Sequence, residues 1–145
     1  MTTGLAVFDT SVQDTNLWLK EIEERLGHCS RQEAYAAARA VLHALRDRLP
    51  AQAAVNFAAQ LPMLLRGLYF EGWVLPDKPG RSHSASKFAE AVNAFLPPKY
   101  RFDPLFATRA VFAAITRFTS EGEPAKVMSQ LPEPIRELWR DAIVV

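Results

Sequence analysis

Cysteine and glycine are scarce in this sequence of 145 residues, which contains one cysteine, Cys29, and six glycines. A single cysteine excludes a disulfide within the chain and is compatible with a reducing compartment. The small number of glycines, beside many alanines, leucines and arginines, favours helices over sheets.

Long apolar runs are also absent. None approaches the roughly 18–20 residues that a membrane helix needs. Residues 1–9 lack the basic start and the apolar stretch of a signal peptide. We therefore expect a cytoplasmic protein that does not associate with membranes.

Charge of one sign does not dominate, because 17 basic residues face 16 acidic ones and the formal net charge is +1. Such a balance provides no broad attraction for nucleic acid or for an anionic membrane. No helical segment clusters basic residues as a DNA-recognition helix does. We therefore expect no nucleic-acid partner.

Motifs of common enzyme and metal sites are missing as well. The sequence contains no Gly-x-Gly-x-x-Gly, Walker loop, nucleophile elbow, EF-hand or Cys-x-x-Cys pattern. The histidines His28, His43 and His83 do not have the i, i+4 spacing of a zincin. Nucleophilic use of Cys29 requires a lowered pKa and a nearby base. We predict no catalytic residues, metal or cofactor, and rank an enzyme using the His28–Cys29 region last.

Signals for helix ends recur along the first half. Asp9 or Thr10 can cap the start of a first helix, and Gly27 is suited to its end. The segment from Ser30 to Glu33 has the pattern of a capping box, in which each side chain accepts the other residue's backbone N–H. A second helix is therefore predicted to follow Ser30.

Prolines are predicted to start two more helices. Pro50 and Pro62 suit first turns, where the missing N–H needs no partner. Gly72 is predicted to end the fourth helix, with Trp73 packed against Leu68. Inward positions are predicted at Tyr35, Ala38, Leu42, Leu45 and Leu49 on the second helix and at Val55, Ala58 and Leu61 on the third.

The second half repeats the first at an offset of 70 residues. Arg39-Ala40-Val41 recurs as Arg109-Ala110-Val111, and Gln60-Leu61-Pro62 recurs as Gln130-Leu131-Pro132. Asp103-Pro104 provides a matching helix start. Further pairs in this register are Arg66 with Arg136, Leu68 with Leu138, and Tyr69 with Trp139. Two tripeptides in one ungapped register indicate a duplication.

The predicted fold is all-α, a single helical-bundle domain over residues 1–145. It has about eight helices in two tandem four-helix repeats, 9–75 and 81–145, joined by a polar linker, 76–82. Short amphipathic helices need packing partners to be stable. We therefore expect the two repeats to share one core and to be related by a pseudo-twofold axis.

Two segments carry a resemblance to a known family. Residues 41–50 (VLHALRDRLP) and 60–73 (QLPMLLRGLYFEGW) are similar to a bacterial family catalogued as domain-of-unknown-function family 2267. Residues 8–10 and 120–123 also match its pattern. The resemblance implies a small helical bacterial protein and brings no activity or site residues with it.

The duplicated arginines are the main candidates for a binding site. Arg39 and Arg109 lie beside the apolar stripes of equivalent helices. They either converge on an anion such as phosphate or carboxylate, or each pairs with a carboxylate or caps helix carbonyls while its stem covers the core. Arg66 and Arg136 lie further from the stripes and are expected in solvent, where a partner can bind them.

The triplet Glu71-Gly72-Trp73 is a further candidate. It is interpreted either as an acidic and aromatic recognition site or as a helix C-cap with a hydrophobic contact. Taken together, the features favour a non-catalytic interaction or scaffold protein that binds another protein or itself. The alternative is a domain that binds a small anionic ligand through arginines between the repeats.

Overall fold

A computed structural model describes residues 3–75, 84–100 and 102–143. Within these residues the chain forms eight α-helices and no strand. They are α1 (Ala6–Arg25), α2 (Arg31–Arg46), α3 (Ala51–Ala58), α4 (Met63–Phe70), α5 (Ala85–Phe95), α6 (Pro104–Phe118), α7 (Glu123–Met128) and α8 (Glu133–Ile143). The all-α class is confirmed, and the predicted linker, 76–82, lies outside the described residues.

Capping residues determine where the two central helices begin. At α2 the Ser30 hydroxyl accepts from the Glu33 N–H at 3.1 Å, and the Glu33 carboxylate accepts from the Ser30 N–H at 3.0 Å. At α6 the Asp103 carboxylate accepts from the Leu105 N–H at 2.9 Å, with Pro104 in the first turn. Both predicted helix starts are confirmed.

The prediction for the start of α1 was wrong. The helix begins at Ala6, before Asp9 and Thr10, and no side chain caps its first residue. Asp9 lies in the first turn, and its carboxylate accepts from the Thr3 N–H at 2.6 Å. A carboxylate there also interacts favourably with the positive end of the helix dipole, so the helix extends past the predicted cap.

Gly27 ends α1 as predicted. Its φ of +76° is in the left-handed region. The His28 N–H donates to the Glu23 carbonyl at 2.7 Å, and the Gly27 N–H donates to the Glu24 carbonyl at 3.3 Å. These two bonds form a Schellman motif, which turns the chain directly into α2.

Helix α2 lies at the centre of the bundle and contacts α1, α4, α5 and α6. Most of its residues are buried, including alanines on several sides. A helix that is apolar on most of its circumference is expected to be surrounded by others. The predicted inward residues that are buried in and after α2 are Ala38, Leu42, Leu45 and Leu49.

Two predicted inward residues point to solvent. Tyr35 is 46% exposed and Val55 is 47% exposed. In α3 the buried residues are Ala54, Phe57 and Ala58, so the apolar stripe is out of phase with Val55. Tyr35 lies on the one side of α2 that no other helix covers fully.

The two halves of the chain interlock. Helix α1 contacts both α2 and α6, and α5 contacts both α6 and α2. Helices α2 and α6 contact each other, as do α3 and α7. Each of the helices α1, α2 and α4 has a counterpart four helices later, which is α5, α6 and α8 respectively. If every one of these six helices is exchanged for its counterpart, the list of contacting pairs among them stays the same. A pseudo-twofold relation requires this exchange, and the axis itself stays a prediction.

No helix in the described ranges combines the length and apolar character needed to cross a bilayer.

Candidate functional site

Arg39 and Glu71, two of the residues singled out from the sequence, lie together. The Arg39 guanidinium is 3.5 Å from the Glu71 carboxylate, and the two side chains are 36% and 62% exposed. Exposed ion pairs contribute about 0–1 kcal/mol. The contact therefore leaves the guanidinium free to exchange its partner.

Arg39 also borders a groove between α2 and the end of α5, here named the α2–α5 groove. It has a volume of about 340 Å³, and its lining includes Gln32, Tyr35, Ala36, Arg39, Phe95, Lys99 and Tyr100. The Tyr100 hydroxyl donates to the Gln32 amide oxygen at 3.4 Å. Sequence reasoning missed this groove, because it arises where α2 meets a connection from the other half.

Arg109 lines a different groove, between α1 and α6, here named the α1–α6 groove. Its volume is about 270 Å³, and Arg25, Phe106 and Asp141 line it as well. Asp141 follows Arg109 by the same 32 residues that separate Glu71 from Arg39. Each duplicated arginine thus lies near an acidic residue of its own half, and the two do not share either groove.

Arg66 and Arg136 are bound within the chain. Arg66 is exposed, but its guanidinium donates at 3.1 Å to the carbonyls of both Ala58 and Leu61. Arg136 pairs with Glu133 at 2.9 Å. Ala58 is the last residue of α3 and Leu61 lies in the turn after it, so Arg66 stabilises the connection between α3 and α4.

Trp73 follows the end of α4. Gly72 has a φ of +70°, which places it in the left-handed region, and the helix ends as predicted. The Trp73 ring stacks on Phe70 with ring centroids 5.6 Å apart. The side chain is half-buried against the core. The Trp73 backbone N–H donates to the Phe70 carbonyl at 3.0 Å, so the contacts of Trp73 are with Phe70 where Leu68 was predicted.

Two polar side chains of α2 are buried against the end of α4. His43 Nε2 lies 2.7 Å from the Leu68 carbonyl oxygen. The Arg46 guanidinium donates to the carbonyls of Tyr69 at 2.7 Å and Glu71 at 2.8 Å. These carbonyls lie in the last turn of α4 and directly after it, where few backbone donors remain. The two side chains therefore hold α2 against the end of α4.

Glu21 joins α1 to α6. Its carboxylate accepts from Arg25 at 2.6 Å and from Arg117 of α6. Burial raises the pKa of Glu21, but the hydrogen bonds and charges of the two arginines outweigh it, and the net pKa is lowered. Glu21 is therefore an ionised link between the two halves.

Cys29 is half-buried, and burial together with the charges of Glu33 and Glu23 raises the pKa of its thiol. A raised pKa disfavours the thiolate, which is the nucleophilic form. Across the described ranges no three potential metal ligands come together, and His83 lies outside those ranges. The raised pKa of Cys29 thus disfavours its use as a nucleophile at neutral pH.

An apolar surface lies where α1 and α4 begin. The Leu64 N–H donates to the buried Ser11 hydroxyl at 3.1 Å, which brings the two helix starts together. Val7 and Phe8 precede Ser11 by one helical turn and share its side of α1. We name Val7, Phe8, Met63 and Leu64 the α1–α4 patch; each is between 45% and 52% exposed.

A family model described as "Uncharacterized conserved protein (DUF2267)" matches residues 15–138. No curated protein matches the chain.

Proposed function

The chain belongs to the DUF2267 family of uncharacterized conserved proteins, and from its surfaces we propose that it is a non-catalytic interaction protein that self-associates through the α1–α4 patch. We further propose a cytoplasmic location, with which the single cysteine is compatible.

The exposed α1–α4 patch carries this proposal. Contiguous exposed apolar side chains on a folded protein are characteristic of interaction surfaces. The four residues lie on two adjacent helix starts, so the surface is present before any partner binds. Full burial of such a side chain contributes about 1.5–3 kcal/mol, and about half of that remains available at each position.

A second copy of the chain is the proposed occupant, because of charge. The four side chains are uncharged, and a twofold interface places the same patch on both subunits. An apolar patch complements itself, whereas a charged patch would repel its copy. The net charge of +1 adds little repulsion between copies.

The molar mass in solution tests the proposal. Light scattering after gel filtration is expected to give twice 16.2 kDa for the wild-type protein. The double variant Phe8→Ser, Leu64→Ser is expected to be monomeric, while Val55→Ser should not change the mass. Val55 is a matched control because it is 47% exposed and lies on another helix, α3.

A monomeric wild-type protein at all concentrations would contradict self-association through this patch. A wild-type dimer that persists in the double variant Phe8→Ser, Leu64→Ser would contradict the choice of surface. Melting curves of the variants distinguish a lost interface from a lost fold.

One anion held between Arg39 and Arg109 has less support than self-association. The two side chains line different grooves, and each groove includes or adjoins an acidic residue.

A further inference from the structure

We propose that the α2–α5 groove binds a short acidic peptide segment in which an apolar side chain lies between carboxylates. The groove shares no residue with the α1–α4 patch, so this site is independent of the proposed self-association.

The shape of the groove suits a short extended segment. Gln32, Tyr35, Ala36 and Arg39 lie on one side of α2, at the i, i+3, i+4 and i+7 positions. Seven residues of helix rise about 10 Å, which corresponds to about three residues of extended chain. Ala36 provides a shallow floor between larger neighbours, so the space can hold one apolar side chain.

Aromatic rings form the walls of this space. Tyr35 is 46% exposed, and the partly buried rings of Phe95 and Tyr100 lie across from it. The Phe95 ring is fixed from behind, since it meets the buried His43 edge-on with centroids 5.4 Å apart. Rigid aromatic surfaces bind apolar side chains at a low entropic cost.

The charge at the groove is positive. Lys99 Nζ lies 5.0 Å from the centre of the Tyr100 ring, and no carboxylate within the described ranges pairs with it. Among the described residues Arg39 forms an ion pair with Glu71, at 3.5 Å. These two cations beside an apolar space complement a ligand in which an apolar group lies between carboxylates.

An open groove favours a peptide over a small molecule. Small-molecule sites usually enclose 70–90% of their ligand, whereas Tyr35 and Arg39 remain accessible to solvent along this groove. The Gln32 amide and Tyr100 hydroxyl also offer hydrogen bonds to a peptide backbone, in exchange for their mutual contact at 3.4 Å.

The α1–α6 groove is an internal control. It contains Arg109 at the position equivalent to Arg39, but Phe106 in place of Ala36 and no tyrosine. The larger side chain occupies the position that forms the floor of the α2–α5 groove. A peptide that needs only an arginine would bind both grooves. A peptide that also needs the aromatic space would bind the α2–α5 groove and not the α1–α6 groove.

Titration of the full chain, labelled with ¹⁵N, with a synthetic peptide tests the site. The probe is an acetylated, amidated hexapeptide with two glutamates on each side of a phenylalanine and a terminal glycine. Saturable amide shifts are expected within residues 32–39 and 95–100. Arg39→Ala should weaken binding about tenfold, and Arg109→Ala should leave it unchanged. Glu71→Gln should strengthen binding about threefold, because it removes the competing carboxylate.

Three outcomes would overturn the proposal. The first is the absence of saturable shifts up to about 1 mM peptide. The second is equal binding of a peptide with lysines in place of glutamates. The third is reproduction of the same shifts by sodium acetate alone, which would indicate a site for small anions. None of these results bears on the dimer mass, so failure here is distinct from failure of self-association.

Discussion

The imidazole Nε2 of His43 in α2 lies 2.7 Å from the carbonyl oxygen of Leu68 in α4. A carbonyl only accepts, so Nε2 carries the proton and donates it. Burial lowers the pKa of His43, and the charges of Arg46 and Arg39 lower it further, against opposing contributions from the Leu68 hydrogen bond and Asp47. The neutral ring is therefore the form that suits the folded state.

Folding stability should depend on pH through His43. The unfolded chain takes up a proton near pH 6.5, the ordinary value, while the folded chain does so only at lower pH. The unfolded state then binds more protons in this range, so stability is complete above about pH 6.5 and falls as the pH is lowered. The slope is at most about 1.4 kcal/mol per pH unit.

Urea denaturation at pH 7.5, 6.5 and 5.5 measures this dependence. His43→Leu should remove most of the slope between these values. Glu21 has a lowered pKa and so acts in the same direction, but only below about pH 4.5, outside the range. A slope that persists in His43→Leu would contradict the assignment.

Arg46→Met should destabilise the fold by about 2–3 kcal/mol, because two carbonyls lose a charged donor in a buried place. The change is read from the free energy of unfolding in urea. Arg66→Met is the matched control: Arg66 also bonds two carbonyls, but it is exposed and water can replace it. Its expected cost is below about 1 kcal/mol, and equal costs would argue against burial as the cause.

Glu21→Gln should reduce stability at pH 7 by about 1–2 kcal/mol, since one buried charge pairs with both Arg25 and Arg117. The loss should shrink as the pH falls through the lowered pKa of Glu21 and the glutamate itself becomes protonated. Glu24→Gln, on the exposed side of the same helix, serves as the control. If Glu21→Gln and wild type keep their difference at low pH, the ion pairs are not its source.

Cys29 should react slowly with Ellman's reagent at neutral pH compared with free cysteine, because its pKa is raised and little thiolate forms. Glu23→Gln should accelerate the reaction modestly by removing one of the two nearby negative charges. Reaction faster than that of free cysteine would instead indicate an activated thiol and revive the enzyme hypothesis.

Signals at helix ends predicted much of the fold. The Ser30–Glu33 capping box, the Asp103–Pro104 start and the Gly27 stop act through neighbouring residues, so the local sequence determines them. Asp9 shows the limit of this approach. The Asp9 carboxylate accepts the N–H of Thr3, which precedes the helix, instead of capping the helix start. The residue type alone does not determine which of these two bonds forms.

Burial on the central helix depended on distant parts of the chain. Contacts with α5 and α6 determine which side of α2 is fully covered. The hydrophobic periodicity of the α2 sequence does not predict these contacts. For this reason Tyr35 is exposed, whereas His43 and Arg46 are buried. The same dependence hid the α2–α5 groove, where Tyr100 lies 68 residues from Gln32.

The exchange of contacts between halves has a consequence for how the bundle holds together. Because α1 packs on α6 and α5 packs on α2, neither half encloses its own core. The predicted duplication implies an ancestral chain of one unit. Such a chain would have needed a second copy to complete its core, so its folding would have depended on its concentration. Joining the units in one polypeptide makes that association intramolecular, so the packing of one half on the other does not depend on protein concentration.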